Sequence, residues 1–230
     1  MIAKHHHNKT FFSEPTIASC YWAGFLAADG CIRRSDSVSL RLSNKERYHI
    51  EAFKNVVEYS GPIIEAPKTN SCGVTVYAAQ QWHYDLENNF NVVPNKSLTL
   101  KPPHGLIGWG DEFEKAFVVG YIDGDGCIRY DNRDGILQLD VFSGSGRLVR
   151  WAKERLETWF GLPDKRIFKA ANGRSYLYRL LGKQAEYVRE ELRGVYQFQL
   201  ARKWNVVKPS NLPKRVRCKK ATPHWLSEST

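Results

Sequence analysis

Two stretches of this 230-residue chain are identical: Asp-Gly-Cys-Ile-Arg begins at Asp29 and again at Asp125, 96 residues later. Each follows a segment that reads as a helix, from about Ser19 to Asp29 and from about Asp111 to Asp125. The peptide dipoles already place about half a negative charge at a helix C-terminus. A carboxylate there is locally unfavourable, and two brought together are worse. A divalent cation is the natural compensation, held by Asp29, Asp125 and the freed carbonyls of Ala28 and Gly124. All-oxygen ligands suit Mg²⁺. Metal between two acids on a basic surface points to phosphodiester hydrolysis, in which the cation activates water and stabilises both the attacking and the leaving oxygens.

For this chemistry the two acids must meet, and the sequence offers a way. Gly24 with Ala28, and Gly120 with Gly124, place small residues four apart on one face of each helix. Two such strips let two backbones approach closely. A second repeat strengthens the case for duplication: Lys96 to Pro102 and Lys203 to Pro209 both read K-x-x-x-x-K-P, 107 residues apart. Recurrence makes Lys96 and Lys203 candidates for balancing charge on a phosphate.

The surrounding elements repeat as well. Val38, Leu40 and Leu42 alternate along a strand, as do Leu137, Leu139 and Val141. Helices are expected over 45–59, 80–90, 146–160 and 183–200, and further strands near 63–67, 73–79, 166–170 and 175–181. The fold class is α+β, two pseudo-symmetric αββαββα halves packed through the leading helices. The expected organisation is a first half over 1–100, a linker over 101–112 marked by Pro102, Pro103, Gly105, Gly108 and Gly110, a second half over 113–207, and a basic tail over 208–230.

Composition narrows the function. The chain has 34 Lys+Arg against 24 Asp+Glu, a formal charge of +10. Residues 1–108 carry +2 and residues 109–230 carry +8. Lys208, Lys214, Arg215, Arg217, Lys219 and Lys220 crowd the tail without an acid, which suits a polyanion. A hydrophobic fraction of 42% excludes a disordered or collagen-like chain. The 5 cysteines form no CxxC, so neither a disulfide framework nor a zinc finger is expected. No run of about 18 apolar residues exists to span a membrane. The first residues lack the apolar core of a signal peptide. The expected location is intracellular, in cytoplasm or an organelle or nucleoid, rather than secreted. The tract His5–His7 reads as a solvated end.

The segments WAGFLAADG at 22–30 and VVGYIDGDG at 118–126 resemble the name motif of the LAGLIDADG homing endonucleases. Two copies in one chain are similar to the single-chain, pseudo-symmetric branch, which implies a monomer. The resemblance implies that the motif helices form the interface, that Asp29 and Asp125 bind metal, and that Ala28 and Gly124 contribute carbonyls. It implies an antiparallel saddle-shaped sheet in each half, lying in the major groove of double-stranded DNA. The family's water-arranging polar residue corresponds to Asn44, and in the second half to Ser143 or Gly144; its active-site lysine corresponds to Lys96 and Lys203. Arg33, Ser39, Arg41, Arg129, Gln138 and Asp140 would then face DNA, with Lys169 and Arg179 as additions. Arg, Gln and Asp can read base edges, Ser more weakly, and the tail would hold phosphates. The implied activity is cleavage of both strands of a long asymmetric site with Mg²⁺, leaving 3′ overhangs, in the service of intron mobility. Ca²⁺ would support binding without cleavage. An intron maturase or a non-catalytic DNA- or RNA-binding protein of the same fold is the alternative. An intein would need a Cys or Ser start and a His-Asn end, which Met1 and Thr230 do not supply. In this motif the first acid is Ala27 in one copy and Asp123 in the other.

Overall fold

The computed structural model describes residues 5–170 and 173–210. Lys208 falls within them; the rest of the basic tail, from Lys214 to Lys220, and Cys218 lie outside the described residues. The first half runs α1 (Ile17–Asp29), β1 (Gly30–Arg33), β2 (Ser37–Ser43), α2 (Arg47–Val56), β3 (Ile64–Ala66), β4 (Ser71–Val76) and α3 (Gln80–Phe90). The second runs α4 (Asp111–Gly124), β5 (Cys127–Tyr130), β6 (Leu137–Ser143), α5 (Gly146–Phe160), β7 (Phe168–Lys169), β8 (Tyr176–Leu181) and α6 (Lys183–Leu192), followed by the short α7 (Ala201–Trp204). Each half builds a four-stranded sheet, in the order β1-β2-β4-β3 and β5-β6-β8-β7, and every pairing is antiparallel. The chain is therefore the expected α+β duplication.

The helix that carries Asp29 starts firmly. The Thr16 hydroxyl accepts from the Ser19 amide at 3.0 Å, and the Ser19 hydroxyl accepts from the Thr16 amide at 2.8 Å. This reciprocal cap satisfies donors that the first turn leaves open. The sheets follow from alternation: Val38, Leu40 and Leu42 turn inward on β2, and Leu137, Leu139 and Val141 on β6. Trp22, Phe53 and Trp82 fill the first half, and Phe117, Leu148 and Tyr178 the second, all buried.

Two expectations need correction. The helix expected over 183–200 ends at Leu192, because Arg193 is extended and Gly194 takes φ +89°, a left-handed region that glycine enters freely. This break lets residues 195–204 turn back toward the seam between the halves. The histidine tract is not a solvated end. The His7 ring is 5% exposed and packs edge-on against Trp82, with ring centroids 5.0 Å apart. The Ser60 amide donates to the His6 carbonyl at 2.9 Å and the Asn8 amide to that of Val57 at 2.8 Å. Burial pulls the His7 pKa down. Cys20, Cys31, Cys72 and Cys127 are free thiols. Among the described residues no helix is long and apolar enough to cross a membrane.

Candidate functional site

α1 and α4 pack on one another with almost no side-chain layer between them. A Cβ on Gly24 would lie 2.0 Å from the Phe117 carbonyl oxygen, and one on Gly120 would lie 1.9 Å from that of Tyr21. The two clashes are mirror images, since Gly24 and Gly120, like Tyr21 and Phe117, hold the same places in the repeat. The small strips are thus what permits the crossing. One turn further on, a Cβ on Gly124 would sit 2.3 Å from the Ala28 methyl and 3.5 Å from the Asp29 amide nitrogen. The seam delivers the ends of both helices, and with them Asp29 and Asp125, to one place.

The electrostatics follow from that meeting. The pKa of Asp29 is raised by burial and by the charge of Asp125, against the pull of Lys203 and Lys96. Asp125 is raised by burial, against Lys96, Lys203 and the Tyr121 hydroxyl, which stands 3.5 Å from its carboxylate. Both side chains still open to solvent. Two carboxylates that reach solvent while crowded by protein make a site with unspent negative charge.

Lys96 and Lys203 are buried, at 7% and 5% exposure, so neither is a solvated surface lysine. Each ammonium faces backbone. Lys96 donates to the Gly30 carbonyl at 2.5 Å. Lys203 donates to four carbonyls, those of Ile122 (2.8 Å), Asp123 (2.6 Å), Gly124 (3.0 Å) and Gly126 (2.8 Å). Gly30 and Gly126 are equivalent in the repeat, so the lysines neutralise the ends of the two acid-bearing helices, where a cation is most favourable. Burial lowers the pKa of Lys96, opposed first by Asp125. Burial also brings Lys203 down to about 8, opposed first by Asp123, which leaves an ammonium at neutral pH.

The structure adds residues that sequence reasoning passed over. Asp123 is 1% exposed. Its carboxylate accepts from the Tyr21 hydroxyl of α1 (2.7 Å), the Leu200 amide (2.9 Å) and the Trp204 indole (2.7 Å). Burial raises its pKa, and the Leu200, Tyr21 and Trp204 hydrogen bonds oppose that rise. It ties both halves and the C-terminal return together. The Tyr21 oxygen also stands 3.2 Å from Nε2 of His49. Because Tyr21 gives its proton to Asp123, Nε2 is the donor, leaving His49 Nδ1 buried without a partner among the described residues. Burial, then Arg202 and Lys203, hold the His49 pKa down at about 3. The one available signal was Asp123 itself, an acid where the first copy has Ala27.

The outward sheet faces hold the remaining candidates. Arg33, Arg41, Arg129 and Lys169 are exposed, and Ser39 and Gln138 partly so. Asp140 and Arg179 are directly opposed in the β6–β8 register and form a two-pronged ion pair at 2.7 Å. They therefore satisfy one another rather than standing open singly. Gln138 is close to Asp131 at 3.5 Å, with its carbonyl oxygen buried and unpaired among the described residues. Asn44 is turned to the β3–β4 connection, donating from its side chain to Asn70 at 3.1 Å. Ser143 and Gly144 line a cavity of about 210 Å³ with Asp125, Ala28 and Tyr121.

A divalent cation fits this donor set on one condition. Among the described residues no three His, Cys, Asp or Glu side chains cluster tightly enough to hold a metal ion alone. Two carboxylates and backbone carbonyls would leave the rest of a coordination shell to water and to oxygens of a substrate.

No protein-family model matches the sequence, and no curated protein does. Solved structures do. The chain is similar to the I-LtrWI LAGLIDADG homing endonuclease bound to target DNA, at 11% identity and a TM-score of 0.50, over 88% of this chain and 86% of that one. It is similar to the LAGLIDADG meganuclease I-CpaMI bound to uncleaved DNA, at 11% identity and a TM-score of 0.51, over 81% and 87%. It is also similar to full-length DUF199/WhiA from Thermatoga maritima, at 14% identity and a TM-score of 0.50, over 83% of this chain and 61% of that one. With its paired motif helices and twin antiparallel sheets, this chain has the fold of the single-chain LAGLIDADG homing endonucleases.

Proposed function

We propose that the chain is a site-specific endonuclease that binds double-stranded DNA as a monomer and hydrolyses both strands with a divalent cation. The observation that carries this reading is the pair of acids, Asp29 and Asp125, brought to one seam by glycine strips that leave no room for a Cβ and left with raised pKa values. A cation between them would relieve their repulsion. Asp29 and Asp125 would hold it with the Ala28 and Gly124 carbonyls; the Gly124 oxygen already accepts from Lys203 and keeps a second lone pair. When bound, Mg²⁺ supplies an activated water and stabilises charge on the phosphate oxygens. Because side chains supply only part of its shell, DNA phosphate oxygens should take places otherwise held by water and strengthen metal binding, with Ca²⁺ supporting binding alone.

The chain's own residues do the rest. Lys96 and Lys203 hold the helix ends in place and keep positive potential beneath the scissile phosphates. Arg33, Arg41, Arg129 and Lys169 project from the outer faces toward phosphates and base edges, with Ser39, Gln138 and the Asp140–Arg179 pair among them. Asn44 in one half and Ser143 or Gly144 in the other would border the attacking water. Different residues on the two faces imply an asymmetric site. Cleavage with 3′ overhangs, and a role in intron homing, complete the proposal.

A plasmid library with randomised duplex inserts and Mg²⁺ tests it. Wild type should yield linear product from a restricted set of sequences. Asp29→Asn and Asp125→Asn should each lose double-strand cleavage by at least about 10²-fold while still binding the selected site in Ca²⁺. Either variant cutting both strands as fast as wild type would remove the mechanism. Binding without cleavage by wild type would leave a DNA-binding protein of this fold.

A further inference from the structure

The cavity beside Asp125 does not end there. It shares Leu98 and Gly144 with a second cavity of about 420 Å³, which shares Lys101 and Arg147 with a third of about 360 Å³, where Arg150 also stands. The three form one furrow along the flank of the second half, between the linker and the head of α5. It starts at an acid of the proposed nuclease centre and becomes basic as it leaves.

Three cations of this furrow are uncommitted. Lys101, Arg147 and Arg150 are exposed, and none has an ion-pair or hydrogen-bond partner among the described residues. Of the other charged groups there, Arg174 is engaged elsewhere, Arg155 is paired with Glu114 at 2.9 Å, and Glu154 is the acid on the wall away from Asp125. The floor is made by small residues: Gly144, Ser145 and Gly146. The head of α2 in the first half is built differently. Its N-cap position is Glu46, ion-paired with Arg202, whereas that of α5 is Ser145, whose hydroxyl accepts from the Leu148 amide. In the first half an acid and its partner occupy the place that small residues leave open in the second.

We propose that this furrow carries the phosphodiester backbone of one DNA strand away from Asp125, outside the sheets and on the second half only. The proposal rests on the reading of the partner as DNA. The backbone belongs either to the flank of a duplex or to a lone strand such as a released end, and both present the same row of phosphates.

Fluorescence anisotropy tests it, with a 40-base-pair duplex and a 20-nucleotide oligothymidylate as probes, across about 50–200 mM salt. The furrow variant is Lys101→Glu/Arg147→Glu/Arg150→Glu. The control, with the same change in net charge, is Lys9→Glu/Lys54→Glu/Lys183→Glu. Each phosphate contact contributes about 0.9 to the slope of log K against log salt on duplex and about 0.7 on a single strand. The furrow variant should lose about 2–3 in that slope on at least one probe, and the control should keep the wild-type slope. Loss on the duplex alone assigns a duplex flank; loss on oligothymidylate assigns a lone strand. Equal slopes for furrow variant and control on both probes overturn the furrow. A wild type that cuts nothing in Mg²⁺ yet shows the slope difference fails the nuclease reading and keeps the furrow.

Discussion

The two halves agree at the seam and diverge away from it. At the seam, Gly24 meets the Phe117 carbonyl as Gly120 meets that of Tyr21, and Lys96 reaches Gly30 as Lys203 reaches Gly126. One step out, the pattern breaks. Ala27 in the first copy answers to Asp123 in the second, and Lys203 holds four carbonyls where Lys96 donates to that of Gly30. On the outer sheet faces, strand register makes Ser39–Thr75 the counterpart of Asp140–Arg179. The difference teaches where symmetry is required. Close helix packing and the placement of two acids tolerate one solution, used twice. Surfaces that would meet the proposed asymmetric partner are free to differ.

The largest effect should come from breaking what the halves share. Gly24→Ala and Gly120→Ala each drive a methyl into backbone rather than into a movable side chain. Each should cost about 3 kcal/mol or abolish folding, read by urea denaturation. A silent substitution at either position would end the claim of an equivalent crossing.

Next come the lysines, where the halves share a role but not a degree. Lys203→Met leaves more carbonyls of a buried helix end unpaired than Lys96→Met does. Charged hydrogen bonds contribute about 1.5–3 kcal/mol, so the first should cost about 3 kcal/mol and the second about half of that. Equal losses in the same denaturation assay would mean that the extra bonds of Lys203 add nothing.

A pH titration isolates the network found beside the second copy's Asp123. His49 has a native pKa of about 3, below the 6.5 of an ordinary histidine. Above pH 6.5 it is neutral in both states. Below that the unfolded chain takes a proton that the native state refuses, so stability falls with pH. The slope is about 1.4 kcal/mol per unit between pH 6 and 5. His49→Phe, which fits among Trp22 and Phe25, should flatten that slope relative to wild type. An unchanged slope would place the titrating group elsewhere.

The smallest expected effect lies on the sheets. A double-mutant cycle of Asp140→Asn and Arg179→Met should show a coupling of about 1 kcal/mol across β6 and β8. The matching cycle at Ser39 and Thr75 should show none above error.

What the sequence made legible follows the same division. The repeat of Asp-Gly-Cys-Ile-Arg, the glycine strips and the alternating strands were readable because period and identity encode them directly. The recurrence of Lys96 and Lys203 showed that they mattered. It did not show that their ammonium groups turn inward to carbonyls, since side-chain direction in a loop leaves no period. The Asp140–Arg179 pair was invisible because register across non-consecutive strands is set by the whole sheet. The end of α6 was marked by Gly194, within a stretch otherwise able to continue a helix. His5–His7 read as solvated by composition, yet Trp82, far along the chain, gives His7 a surface to pack on.

The two lysine caps also bear on assembly. Each reaches back across a long span of chain, 66 residues from Lys96 to Gly30 and 77 from Lys203 to Gly126. A helix end carrying an acid is therefore not electrically closed until the sheet and helices between have folded and returned the lysine to it. Such late, non-local contacts are the slow ones. The proposed cleavage centre should ripen last, so that a half-folded chain should cut poorly if the proposal holds.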